Sequence, residues 1–254
     1  MSLPHPDWLQ PDWARPDVQA FMSTRAGGVS RGEFESMNLG VAVGDDPAAV
    51  AENRARLQAA LGAPAVFLRQ VHGAEVLRLE RRWLHEAAPP ADAAISTDPG
   101  LGVAIQVADC LPVLFAAPGA VGGAHAGWRG LAAGVLERTV AALCEAAGCA
   151  PSQVQAWMGA CIGPEAFEVG AEVLQACGGD PAAYRHQPNA AGEDRWRADL
   201  AALARERLQA LGLGRVSGGG WCTVSEASRF FSYRRERLLG RESGRMVAAI
   251  RLLG

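Results

Sequence analysis

The chain has 254 residues, with 49% hydrophobic and 20% charged side chains and a formal net charge of -3. This is ordinary globular usage, which excludes a disordered or fibrous chain, and the slightly acidic balance argues against nucleic acid or an anionic membrane as the main partner. No window of about eighteen uncharged apolar residues occurs, so a membrane span is excluded.

The first seventeen residues carry Pro4, Pro6, Pro11 and Pro16, which fix φ and remove donors, and they read as an extended lead-in bearing Trp8 and Trp13. The start lacks a basic region followed by an apolar run, so the expectation is a cytoplasmic protein. A strand is predicted from Val18 to Thr24, ended by Gly27-Gly28. Asp46-Pro47 has the chemistry of an N-cap and first helical position, Val50, Leu57 and Leu61 share one side, and Gly62 stops the helix.

Short apolar runs follow at Val66 to Val71, Val76 to Leu79, Leu101 to Val107, Val113 to Ala116 and Val121 to Ala126, each bounded by Gly, Pro or Asp. They predict sheet. From Leu131 to Ala147 the spacing becomes helical, with Gly148 beyond it, and Asp199 caps a further helix that runs to Leu211 before Gly212. Met246 to Leu253 closes the chain as an apolar strand. There is no internal repeat, linker or composition break, so one α/β domain with a mixed sheet over residues 18–254 is the economical reading. The irregular order of strands and helices, and the lack of a dinucleotide-binding glycine fingerprint, argue against a regular doubly wound fold.

Three segments join a reactive side chain to turn residues at the end of an apolar run: Gln70-Val71-His72-Gly73, Ala108-Asp109-Cys110-Leu111-Pro112, and His125-Ala126-Gly127-Trp128-Arg129-Gly130. Imidazole nitrogen and thiolate sulfur suit zinc, and three such ligands leave a fourth position open for water, whose pKa the ion lowers. The same atoms also allow a second chemistry, with Cys110 as nucleophile and His125 or His72 as its base. A lone histidine or buried cysteine is ordinarily structural, and the long separations between these three carry no metal signature of their own. The six cysteines are too sparse for a disulfide framework and read as reduced thiols.

Taken together, Thr24-Arg25-Ala26-Gly27-Gly28, Asn38-Leu39-Gly40, the three segments above, Ile162-Gly163-Pro164, Phe167-Glu168-Val169-Gly170, Trp221-Cys222-Thr223 and Phe231-Ser232-Tyr233-Arg234-Arg235 resemble the laccase-domain family. Its members have been called polyphenol oxidases and purine nucleoside phosphorylases with adenosine deaminase activity. The resemblance covers about residues 18–253. It implies a four-layer α/β sandwich and a metal, zinc with copper as the alternative, held by His72, Cys110 and His125. It also implies phosphorolysis of adenosine, inosine and methylthioadenosine, with nucleoside and inorganic phosphate as the partners.

A true multicopper oxidase needs many more than five histidines. Phenol oxidation would therefore be secondary. Under the same resemblance Asp109 is a candidate for proton transfer in deamination, against the plainer role of a turn residue orienting Cys110. Arg25 and Arg129 lie beside glycines that let backbone N–H groups approach an anion, and with Asn38 and Arg234 they are the substrate-binding candidates. Bacterial relatives are also associated with a cell-wall precursor hydrolase using a cysteine nucleophile, and a non-catalytic metal- or nucleotide-binding protein is the reading from a different class. The chain departs from the family pattern between Arg235 and Gly244, where the residues Arg237 to Ser243 are extra.

Overall fold

The computed structural model describes residues 4–254 apart from 14 and 88. The first half runs β1 (Val18–Met22), α1 (Pro47–Leu61), β2 (Ala65–Phe67), β3 (Val76–Arg78), β4 (Ala93–Ser96), β5 (Gly102–Val107), β6 (Leu111–Ala117) and β7 (Ala120–Ala126). Next come α2 (Trp128–Ala132), α3 (Val135–Ala147), β8 (Gln155–Met158), β9 (Glu168–Val169), α4 (Ala171–Cys177), β10 (Tyr184–His186) and β11 (Trp196–Ala198). The chain closes with α5 (Leu200–Ala210), β12 (Arg215–Gly218), α6 (Tyr233–Leu238) and β13 (Met246–Leu252).

Two mixed sheets dominate, one with the order β12-β8-β6-β7-β4-β3 and one with β1-β13-β5-β2, beside a small antiparallel sheet β10-β11-β9. Period-two alternation explains how they stack. Along β13, Met246, Ala248, Ile250 and Leu252 enter a core between the two large sheets, whereas Val247 and Ala249 enter a different core under α1. Along β6, Leu114 and Ala116 face the inter-sheet core, while Leu111, Val113 and Phe115 face the side covered by α3 and α5. Three apolar layers thus separate four layers of structure: helix, sheet, sheet, helix. Strands buried on both faces read as continuous apolar runs rather than alternating ones, which is why the runs are legible but their faces are not.

The helix-end signals act as their chemistry dictates. Asp46 accepts from the Ala48 N–H at 3.0 Å, Gly62 closes α1 at φ 76, and Asp199 accepts from Ala202 N–H to start α5. The helical run from Leu131 to Ala147 is two helices rather than one, because Gly134 adopts φ 82 and turns the chain between α2 and α3. The apolar run from Val66 to Val71 pairs as a strand only as far as Phe67. Part of the lead-in is packed. Leu9 and Met22 exchange N–H···O bonds at 2.9 Å, and Trp8 is buried with its ring 5.0 Å from that of Phe21. Residues 1–3 and 14 of the lead-in lie outside the described residues. Among the described residues no helix is long and apolar enough to cross a membrane.

Candidate metal centre

The topology gathers His72, Cys110 and His125 at one end of the larger sheet. β6, β7, β4 and β3 are consecutive neighbours there, so the residues just before β6, β4 and β3 and at the end of β7 share one edge. Cys110 immediately precedes β6, whose Leu111 pairs with Ala126, so Cys110 faces Gly127 one step beyond the ladder. A Cβ built on Gly127 would lie 2.9 Å from Cys110 Sγ and 3.3 Å from His72 Cδ2; only glycine leaves room for both side chains. Gly130, at the start of α2, makes a similar close approach, with a Cβ there falling 2.9 Å from the Gly73 carbonyl. The glycines of the third segment let it lie against the first two.

Asp92 organises this edge. It is fully buried and directly precedes β4, whose Ala93 pairs with Ala124, which puts Asp92 across from His125. Its Oδ1 accepts the His72 N–H at 2.9 Å and the His125 Nδ1–H at 2.8 Å, and its Oδ2 accepts the N–H groups of Val71 at 3.0 Å and Gly73 at 2.7 Å. An ionised carboxylate only accepts, so His125 carries a proton on Nδ1, and Nε2 is left as the nitrogen at which a metal would take the place of a proton. Burial pushes this carboxyl up, but the hydrogen bonds it accepts from His125, Gly73 and Val71, with the His125 charge, hold it below its usual range.

His72 Nε2 stands 3.9 Å from Cys110 Sγ, and the ligand atoms of His72, Cys110 and His125 all lie within 4.8 Å of one another. Zn–N and Zn–S lengths with a tetrahedral angle place nitrogen and sulfur roughly 3.6 Å apart, so the His72–Cys110 pair at 3.9 Å is close to zinc spacing, and the whole set, within 4.8 Å, would close by up to about an ångström around an ion. His72 is exposed, Cys110 partly exposed and His125 buried, so the cluster opens to solvent on one side. His125 and His72 pull the Cys110 thiol down to about 6, outweighing the burial that pushes it up, and the thiolate with Asp92 raises His125 to about 9 against its own burial. Among the described non-glycine residues only His72 and Asp109 have positive φ, at 62° and 96°; the first belongs to the cluster and the second precedes Cys110. Strain of this kind collects at functional sites.

A cleft of about 990 Å³ opens over the cluster, within the size range of small-molecule sites. His72, Cys110 and His125 line it, with Arg54, Arg69, Arg245 and Tyr233 on its walls. The remaining candidates are elsewhere. Asp109 spends its carboxylate on the Thr223 hydroxyl and the Arg234 N–H, and its carbonyl accepts from Ile162, so it braces the turn that presents Cys110. Asn38 is buried beside the cleft, where its Oδ1 accepts the N–H groups of Gly40 and Arg245. Arg25 donates to the carbonyls of Glu35 and Ala227, and Arg234 to those of Ala166 and Glu168. Arg129 is exposed with its guanidinium over Trp128 at 4.3 Å. Arg25, Asn38, Asp109, Arg129 and Arg234 are not among the residues that line the cleft.

The fold agrees with that of similar chains. A family model described as multi-copper polyphenol oxidoreductase laccase matches residues 19–253. The chain belongs to this family. It is 46% identical over 245 residues to a protein named purine nucleoside phosphorylase YfiH of Escherichia coli K12, covering 93% of this chain and 94% of that one. A Pseudomonas aeruginosa relative named purine nucleoside phosphorylase PA4543 is 47% identical over 242 residues, with the same coverages of 93% and 94%. The crystal structure of the Neisseria meningitidis protein NMB0706 superposes with a TM-score of 0.87 at 42% identity, covering 98% of this chain and 100% of that one. YlmD from Geobacillus stearothermophilus gives 0.87 at 32% identity, with coverages of 97% and 96%. Residue-type reasoning misses Asp92, Arg54 and Arg69 within this laccase-domain fold. Asp92 has only the weak signal of an acid between Pro89-Pro90 and an apolar run, and the arginines have none.

Proposed function

We propose that this chain is a metal-dependent purine nucleoside enzyme that cleaves adenosine, inosine and methylthioadenosine with inorganic phosphate and also deaminates adenosine. The observation that carries the reading is the His72, Cys110, His125 cluster, opening on a cleft walled by three arginines. The names of the relatives supply the substrate class. His72, Cys110 and His125 would hold the ion, zinc in preference to copper, since one thiolate and two imidazoles with an open side suit it. Such an ion supplies Lewis-acid activation at that point.

The rest follows from the chain's own residues. Asp92 fixes the tautomer and orientation of His125 and the backbone of the His72 turn, the outer-shell role that metal-ligating histidines require. Asp109 and Arg234 brace the Cys110 turn, and Asn38 holds the Arg245 backbone, so these three act by positioning. Phosphorolysis develops positive charge on the sugar and negative charge on the departing base, and fixed charges in a cleft stabilise such separation without reorganising. Tyr233, 46% exposed on the wall, and Val41, 70% exposed, offer an apolar rim for a purine ring. The reading keeps the enzyme in the cytoplasm, in keeping with six free thiols.

Incubating the purified protein with adenosine and phosphate should yield adenine and ribose 1-phosphate, with inosine from deamination, and elemental analysis should find one metal ion per chain. Cys110→Ala and His125→Ala should lose both metal and products. Product formation unchanged in these variants would refute the reading.

One arrangement favours a second reading, a hydrolase with Cys110 as nucleophile. His125 faces the Cys110 thiolate while Asp92 holds Nδ1 at 2.8 Å, the nucleophile, base and orienting-acid relation. Turnover that survives complete metal removal but is abolished by thiol alkylation would select it.

A further inference from the structure

The cleft wall carries the guanidinium groups of Arg54, Arg69 and Arg245, and no carboxylate is among its lining residues. Among the described residues none of the three forms an ion pair, in a chain whose formal net charge is -3. The ion pairs lie elsewhere. Cys110, Asp109 and Glu242 favour the Arg245 charge from nearby, but no carboxylate lines the wall itself, and the half-buried charges of Arg54 and Arg245 cost free energy that an anion in the cleft would offset.

Two of the three are held in place by neutral partners. Arg54 has its Cζ over the Phe67 ring at 3.7 Å from the centroid, and donates from Nε to the Leu39 carbonyl at 3.0 Å and from Nη2 to Gln106 Oε1 at 3.3 Å. Its Nη1 has no partner among the described residues. Burial without a neighbouring acid pushes this group down to about 10, so it remains charged at neutral pH. Arg245 anchors Nη1 on the carbonyls of Ser243 and Gly244 at 2.7 and 3.1 Å, and its N–H is held by Asn38 at 2.8 Å. Its stem packs on Gly40, where a Cβ would come within 2.7 Å of Arg245 Cγ. Nε and Nη2 of Arg245 stay uncommitted, and Arg69 is exposed with no side-chain partner. The anchoring bonds use only part of each fork, and the remainder is preorganised.

We propose that Arg54, Arg69 and Arg245 form an oxyanion subsite that takes a tetrahedral phosphate, either free inorganic phosphate or the phosphoryl group of a nucleotide. The assignment of that phosphate as the attacking reagent rests on the nucleoside reading above, whereas the binding itself rests on the wall. Arg25, Arg129 and Arg234, the arginines that the motifs single out, are committed to carbonyls or to an exposed stack and are not on this wall.

Calorimetric titration of the metal-loaded protein with inorganic phosphate, and separately with adenosine 5′-monophosphate, tests it. Wild type should bind at least one of the two. Arg69→Gln, whose side chain holds nothing in place, and Arg245→Gln should each weaken binding about tenfold or more, the loss of one charge-assisted contact. Arg54→Lys should do the same, because an ammonium cannot keep the stack and the fork together. Arg138→Gln, on the surface against Glu75, should bind like wild type.

Tight inorganic phosphate with weak nucleotide marks the free anion as the ligand, and the reverse marks the phosphoryl group; both support the subsite. Phosphate binding that needs these arginines, without phosphorolysis of adenosine or inosine, keeps the subsite and removes the enzymatic reading. Affinity retained within about twofold in Arg69→Gln and Arg245→Gln overturns the proposal, as does the absence of binding of both anions to wild type.

Discussion

Replacing Asp92 by Asn tests whether one buried carboxylate organises the candidate metal centre. The four groups around it all donate: the N–H groups of Val71, His72 and Gly73, and His125 Nδ1–H. An amide has one oxygen, so in either orientation its NH₂ faces two of these donors. With the oxygen at the Oδ1 position, Val71 and Gly73 are stranded and the His72 turn loosens. With the oxygen at Oδ2, the amide favours a His125 that accepts at Nδ1, which moves the ring proton to Nε2 and blocks the nitrogen needed by a metal.

Two stranded donors at a fully buried position cost about 1–3 kcal/mol each, or about 2–6 kcal/mol in all. That is a large part of a typical total of about 5–15 kcal/mol, so the variant should fold with a clearly lowered denaturation midpoint. Zinc affinity should fall about 10–100-fold, as for other outer-shell partners. Urea unfolding of the metal-free protein reads the first quantity, and competition with a chromophoric chelator reads the second. If Asp92→Asn matches wild type in both, the carboxylate does not organise the centre and the argument from its four contacts is wrong.

Gly127→Ala should separate site from fold, since Gly127 has φ -65, which alanine adopts freely, while its Cβ would crowd Cys110 Sγ at 2.9 Å. Zinc uptake and turnover should drop while the circular dichroism spectrum is retained; normal zinc binding would show that the close approach is unimportant. Asn53→Ala should destabilise by about 2–4 kcal/mol, because the buried amide accepts the Val29 N–H and reaches Ser30 Oγ and the carbonyls of Ser36 and Asn38. Chemical denaturation checks it, with a loss under about 0.5 kcal/mol counting against the network. Phe67→Ala removes the ring under Arg54, so the Michaelis constant for phosphate should rise severalfold with a smaller change in kcat; the reverse pattern would place Phe67 at the reacting atoms instead.

Local chemistry made much of the fold legible. Asp46-Pro47 and Gly62 bound a helix because the orphan N–H groups and the left-handed stop are satisfied within a few residues, whatever the rest of the chain does. The apolar runs at Leu101 to Val107, Val121 to Ala126 and Met246 to Leu253 are strands because every residue in them is buried or nearly so. Short or partly exposed strands such as β9, β10 and β12 left no such trace, since two to four residues of mixed polarity take their conformation from a neighbouring strand.

The same division runs through the site. Reactive side chains next to turn residues and glycines are a local pattern that singled out His72, Cys110 and His125, but their joint use as metal ligands came from the family resemblance of the linked motifs and not from their spacing. What joins them is not local. Asp92 matters through a strand register that sets it against His125, and Arg54, Arg69 and Arg245 come from a helix, a loop and the last strand's approach. An arginine's neighbours decide whether its charge is spent on a carbonyl, an acid or an open cleft, and those neighbours are tens to hundreds of residues away in the chain. Sequence alone determined which reactive side chains stand beside turns; the packing of two sheets decided that three of them meet within 4.8 Å and which other groups face them.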